Sequence, residues 1–181
     1  MITELGRPPE LADRPDPLGE EIYEISAVSL NTVDVNVGAG RYFGGHPDLP
    51  YVPGCEGVGS APDGTRVYLF SDGLGLSRDG LLAERAAAPA DLGIPLPDTV
   101  SDEIAASCGI AGMAGWMPVA WRAPVRKDDR VLVLGATGTV GLVAVQAAKL
   151  LGAKHIVAAG RNPDRLKRAA ELGADATVSL D

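Results

Sequence analysis

The sequence predicts an α/β protein in two parts, a small β domain followed by the first half of a parallel sheet with flanking helices. Three observations carry this. Arg130 to Arg161 reads as strand, glycine turn, helix, strand. Residues 22–97 break instead into short β-branched runs separated by Pro- and Gly-rich turns. Between them, from Ser101, lies a helical stretch. We place the domains at 1–124, the β domain with its trailing helices, and 125–181, the partial dinucleotide-type sheet.

Residues 1–20, rich in Pro and charge, read as an extended opening segment. Ile22 to Leu30 is a strand by its β-branched residues and partial alternation. Gly38 to Gly45 is too rich in glycine for a regular element and reads as a loop. Pro50 to Gly59 has the density of Pro and Gly expected of a tight turn feeding a strand, and Pro62-Asp63-Gly64 turns into the strand Thr65 to Phe70. Leu81 to Ala88 and Ile94 to Pro97 complete the short strands.

Ser101 can cap a helix whose first turn carries Asp102 and Glu103, where carboxylates suit the helix dipole. Ile104, Ala105 and Cys108 form its expected buried side, so Cys108 reads as a small core residue. A second helix is expected over Ile110 to Arg122, with a kink at Pro118, which lacks a backbone donor.

Val131 to Leu134 is apolar on both faces, as a parallel strand covered by helices should be. After the turn Gly135 to Gly141, Val140, Val143, Ala144, Ala147, Ala148 and Leu151 recur at helical spacing, and Gly152 stands where a helix would stop. A second strand covers His155 to Ala159. Asn162-Pro163-Asp164 is a helix start with a capping Asn and Pro at the first helical position, and the third strand is Ala176 to Leu180. In this context the glycines point to a bound dinucleotide. A pyrophosphate at a helix N-terminus needs N–H groups unobstructed by Cβ atoms. Gly138 permits close approach, Thr139 and Val140 supply first-turn N–H groups, and Gly141 lets helix and strand pack. The alternative is a glycine turn that serves packing alone.

A formal charge of −8 over 181 residues argues against nucleic-acid or anionic-membrane partners, since both call for a basic face. Two cysteines cannot build a disulfide framework, and no signal-like or membrane-length run is read, so a cytoplasmic protein is expected.

These residues resemble the medium-chain dehydrogenase/reductase superfamily, in particular its zinc-independent quinone oxidoreductase branch. The resemblance runs from about Leu11 to Asp181. It rests on Leu30-Asn31-Thr32-Val33-Asp34 with Gly40 and Tyr42, on Pro50 to Gly59, similar to P-x-x-P-G-x-E-G-x-G, and on the turn Gly135 to Gly141. It implies a GroES-like β domain and a Rossmann-type sheet. It also implies hydride transfer from a nicotinamide to a quinone, enal or similar activated carbonyl, a small-molecule substrate, and a homodimer for a full-length form. Asn31 would lie near the nicotinamide ribose, or else be a turn residue bonding its own backbone. Tyr42 would line the substrate pocket as proton donor, or else pack its loop. Asp34 is expected to order the loop. Positions where zinc-dependent relatives carry metal ligands are Asn31, Cys55 and Ile110 here, and one thiol does not build a zinc site. No metal is expected, which disfavours a zinc alcohol dehydrogenase.

An NAD-preferring site ends its second strand with an acid that repels a 2′-phosphate. Here Gly160 stands there, followed by Arg161 and Asn162, so NADPH is the expected cofactor. Only strands 1 to 3 of a six-stranded dinucleotide sheet are read, which would leave 131–134 as an exposed edge. A fragment, a truncated reading frame or one piece of a complex is expected. A non-catalytic nucleotide-binding or interaction protein is the alternative to an enzyme.

Overall fold

Strand β1 (Glu21–Ser29) organises the first part of the chain. With β2 (Glu56–Ser60), β3 (Arg66–Phe70), β4 (Arg85–Ala88) and β5 (Ile94–Pro95) it forms a five-stranded antiparallel sheet in the order β4-β1-β2-β3-β5. The computed structural model describes residues 1–19 and 21–181. Glu20, the last residue of the expected opening segment, lies outside them. One face of the sheet buries Tyr23, Val67, Leu69, Leu74, Leu81, Ala86 and Ala88. The other is covered by α2 (Asp102–Ser107), whose Ala105 and Ala106 pack on Val58.

Register decides what meets at the edge of this sheet. Ser29, the last residue of β1, pairs with Glu56, the first of β2, after a bulge between Ile25 and Ala27. Glu56 in turn pairs with Phe70 and Val58 with Tyr68, so Glu56 and Tyr68 are diagonal neighbours on one face. Asn31 follows β1 by two residues and is thereby delivered beside Glu56. It then caps a helix that periodicity does not announce, α1 (Thr32–Gly38), seven residues long and rich in valine. Val37 of α1 packs with Ile2 and Tyr51, and the opening segment is tied down where Ile2 and Tyr51 exchange backbone hydrogen bonds at 2.8 and 3.1 Å.

Ser101 caps α2 as expected, accepting the Ile104 N–H at 3.4 Å. Its buried side differs from expectation. Ile104 is 58% exposed and Cys108 is exposed, whereas Ala105 and Ala106 are buried. The reason is that α2 turns Ala105 and Ala106 to the sheet, and Ile104 and Cys108, four residues apart, share the opposite face; the helical path breaks only after them, at Gly109 (φ −72°, ψ −110°). The following helix is α3 (Met113–Met117), with a wider turn at Pro118, where the Ala123 N–H reaches the Pro118 carbonyl at 2.8 Å. Pro118 has no N–H to give the preceding turn, and the wider five-residue turn begins at its carbonyl. By length and apolarity the helical run Asp102–Arg122 is sufficient to cross a membrane, unlike the sequence expectation. The run is interrupted at Gly109, and it buries Ala105, Ala106, Ala111 and Gly115 while Ile104, Met113 and Trp121 are exposed.

The chain forms two compact units, Met1–Gly109 and Ile110–Asp181, and in the second α3 packs onto α4 (Thr139–Leu150). A Cβ on Gly115 of α3 would overlap Val143, so the two helices touch through that glycine. The second unit holds β6 (Arg130–Leu134), β7 (His155–Gly160) and β8 (Ala176–Ser179), parallel and in the order β6-β7-β8. This is the half Rossmann-type sheet expected. Helix α4 buries Gly141, Val145, Ala147 and Ala148, so the expected Ala147 and Ala148 lie inside, whereas Val140 is exposed and the unexpected Val145 is buried. Val145 joins the sheet core while Val143 faces α3. Helix α5 (Pro163–Glu171) starts as read, Asn162 Oδ1 accepting the Arg165 N–H at 3.0 Å. Strand β6 is an edge strand, as the strand count implied. Its expected cover on both faces is absent: Val133 is buried, but Leu132 and Leu134 are 59% and 69% exposed.

Candidate functional site

In the second unit, the turn from β6 into α4 builds an anion cradle from backbone alone. Gly135 takes φ +69°, a conformation only glycine adopts without strain, and a Cβ there would meet nothing. The Ala136 N–H donates to the Ala159 carbonyl at 3.0 Å, stitching the turn to β7. Gly138 stands at the N-cap of the 12-residue α4, with open space where a Cβ would be except for the Gly135 carbonyl at 3.5 Å. Thr139 and Val140, exposed, form the first turn, which holds no acidic residue. Their N–H groups belong to the set that lacks partners within a helix, at the positive end of the dipole. Gly141 does different work. A Cβ on it would overlap the Gly135 carbonyl and Ala136, so it lets the helix approach the strand.

Gly160 ends β7 beside this turn, buried, and a Cβ on it would overlap the Thr137 side chain. Arg161 follows it, exposed. Asn162 uses Oδ1 to cap α5. Asp164 is exposed and ion-paired with Lys167 at 3.0 Å. Sequence reasoning passed over Arg165: its guanidinium donates to the Thr137 carbonyl at 3.0 Å, placing a second cation at the turn. Its position one turn into a helix that starts at the end of β7 was the available signal.

In the first unit, Asn31 and Asp34 come together, and Tyr42 joins the apolar cluster around Val37. Asp34, buried, accepts the Asn31 N–H at 2.7 Å through Oδ2 and the Cys55 N–H at 2.9 Å through Oδ1. It orders the loop. Asn31 Nδ2 donates to Glu56 Oε1 at 2.6 Å. Glu56 is fully buried, and its Oε2 accepts the Tyr68 hydroxyl. Burial, then the hydrogen bond and charge of Glu56, push the Tyr68 phenol well above its usual range, so it remains a donor. Glu56 and Tyr68 were missed by sequence reasoning, since only strand register joins them to Asn31. Tyr42, half-buried, packs against the Ile2, Val37 and Tyr51 cluster with its ring 4.6 Å from that of Phe43.

Cys55 is buried, and burial followed by the Asp34 hydrogen bond and charge pushes its thiol up, away from reactive thiolate. Among the described residues no three His, Cys, Asp or Glu side chains gather where they could hold a metal ion.

Comparison with known proteins follows the same lines. The family model described as "Zinc-binding dehydrogenase" matches residues 139–181. The chain is 33% identical over 159 residues to a phenolphthiocerol/phthiocerol polyketide synthase component of Mycobacterium tuberculosis, covering 82% of this chain and 7% of that one. It is 31% identical over 188 residues to a quinone oxidoreductase-like protein 2 homolog of Nematostella vectensis, covering 98% of this chain and 51% of that one. Among solved structures, the quinone oxidoreductase of Thermus thermophilus, described with its NADPH complex, superposes with a TM-score of 0.80 at 32% identity. That match covers 98% of this chain and 58% of the other. The chain thus spans about half the length of the two quinone oxidoreductase relatives.

Proposed function

Since the chain belongs to the medium-chain dehydrogenase/reductase superfamily and is quinone oxidoreductase-like, we propose that it serves NADPH-dependent reduction of a quinone, enal or other activated carbonyl, without zinc. The observation that carries the reading is the cradle of Gly138 to Gly141 at an acid-free helix N-terminus, with Arg161 at the end of β7 in place of an acid. When bound, NADPH supplies a hydride from its nicotinamide ring. The N–H groups of the first turn of α4 hold the pyrophosphate. Gly160 leaves no carboxylate to repel a 2′-phosphate, and Arg161, with Arg165 behind it, supplies the cation. Asn162 sets the entry of α5 and so the place of Arg161. Asn31 meets the cofactor through its carboxamide, and Tyr42 lines the substrate pocket and gives up the phenolic proton. Zinc independence rests on donor number, because Asn31, Cys55 and Ile110 offer one thiol where a zinc site takes at least three protein ligands. The partner is a small molecule, a full-length form is a homodimer, and the setting is cytoplasmic.

The exposed Leu132 and Leu134 on edge strand β6 favour a second reading for this chain alone, a nucleotide-binding or interaction protein without turnover. Titration of the purified chain with NADPH and NADH, followed by NADPH oxidation with a quinone series, tests both. NADPH binding about tenfold tighter than NADH binding, with turnover, is expected. Binding without turnover selects the second reading, and absence of NADPH binding overturns both.

A further inference from the structure

The buried side chain with the most complete built environment lies outside the nucleotide turn. Glu56 is 0% exposed, held on Oε1 by Asn31 Nδ2 at 2.6 Å and on Oε2 by the Tyr68 hydroxyl. The backbone closes a further side: a Cβ on Gly109 would overlap both Glu56 Oε2 and Tyr68 Oη, so that residue must be glycine for the carboxylate to fit. Burying a carboxylate is costly unless it is fully bonded, and a fold needing only bulk at this place is served as well by an apolar side chain.

What the carboxylate accomplishes follows from its valence. It accepts and does not donate, whereas a carboxamide has a donor end and an acceptor end. Asn31 must therefore turn Nδ2 to Glu56, with Ser29 carbonyl and hydroxyl oxygens also within 3.4 Å of that nitrogen. The acceptor Oδ1 faces the first turn of α1, where Asn31 forms a capping box with Asp34, and its second lone pair is what a further donor can meet. A glutamine at 56 could bond either end of Asn31 and would lose this discrimination while keeping the shape.

We propose that Glu56 is a positioning residue, whose carboxylate, clamped between Tyr68 and Asn31, fixes which end of the Asn31 carboxamide a bound cofactor meets. This rests on the proposed function, in which Asn31 meets the cofactor.

The test uses the whole chain and three variants, Glu56→Gln, Tyr68→Phe and Asn31→Ala, with two readouts. One is the side-chain amide resonance pair of Asn31, assigned by its loss in Asn31→Ala. The other is NADPH affinity. Glu56→Gln should keep the far-UV dichroism, move or broaden the Asn31 pair, and weaken NADPH binding about tenfold, as expected for loss of a charge-assisted bond. Because Glu56 acts through Asn31, the same substitution in an Asn31→Ala background should change affinity less than about twofold. Tyr68→Phe should show the same pattern, weaker, and decides the matter by the same readouts if Glu56→Gln does not fold. Unmoved Asn31 resonances, or losses that add fully with Asn31→Ala, overturn the proposal and leave Glu56 a structural residue. If Asn31→Ala leaves NADPH affinity unchanged, the reading of Asn31 as a cofactor group fails, and positioning by Glu56 stands or falls on the amide resonances alone.

Discussion

Asp34 Oδ1 accepts the backbone N–H of Cys55 at 2.9 Å, while its Oδ2 accepts that of Asn31 at 2.7 Å, so one buried carboxylate joins the start of α1 to the turn that enters β2. Asp34→Asn keeps the shape but turns a donor toward one of these two N–H groups. We expect it to lower unfolding stability by about 2–3 kcal/mol, within the range for an unsatisfied buried group bonded to a charge. Urea titration of both proteins checks this.

Gly138 and Gly141 should behave oppositely on substitution by alanine. A Cβ on Gly138 meets only the Gly135 carbonyl, at an ordinary 3.5 Å, so Gly138→Ala should fold normally and bind NADPH more weakly. A Cβ on Gly141 overlaps Gly135 and Ala136 backbone, so Gly141→Ala should lose about 1–3 kcal/mol of stability through overpacking. Thermal melts paired with NADPH titrations separate the two effects.

Arg161→Glu places at the end of β7 the charge that a 2′-phosphate cannot tolerate. NADPH affinity should fall by about tenfold or more while NADH affinity changes little, so the preference narrows or reverses. An unchanged ratio of the two dissociation constants would remove the charge argument for NADPH.

Alkaline pH should destabilise the first unit through Tyr23. Burial, then the hydrogen bond and charge of Glu21, push its phenol up to about 12 from 10.0. A folded-state pKa raised in this way means that the contribution is complete below about pH 10. It is lost as pH climbs toward about 12, where the unfolded chain ionises and the folded one resists, at up to about 1.4 kcal/mol per pH unit. Tyr23→Phe should flatten the decline in that window, read from unfolding free energies between about pH 9 and 12.

Much of the second unit was legible in the chain. The strand, turn, helix, strand order, the Asn162 cap and the glycine roles at 138 and 141 all follow from local rules, because neighbours in sequence are neighbours in the turn. Helix α1 was not legible: Val33, Val35 and Val37 alternate with the period of a strand, and the helix stands because Asp34 bonds inward and Val37 packs on Tyr51. Cys108 illustrates the same limit. Its four-residue spacing from Ile104 does give the two a shared face, but packing turns Ala105 and Ala106 to the sheet and leaves that face exposed.

By itself the sequence determined the half parallel sheet, the glycine cradle and the arginine at the end of β7, because these depend on residue type at short spacing. Only the tertiary structure decided that Asn31, Glu56, Tyr68 and Gly109 share one place. Those residues are far apart along the chain, and what joins them is the register of β1 on β2 and of β2 on β3. Register is an outcome of the whole sheet's packing, and a one-residue slip would send Glu56 to the opposite face.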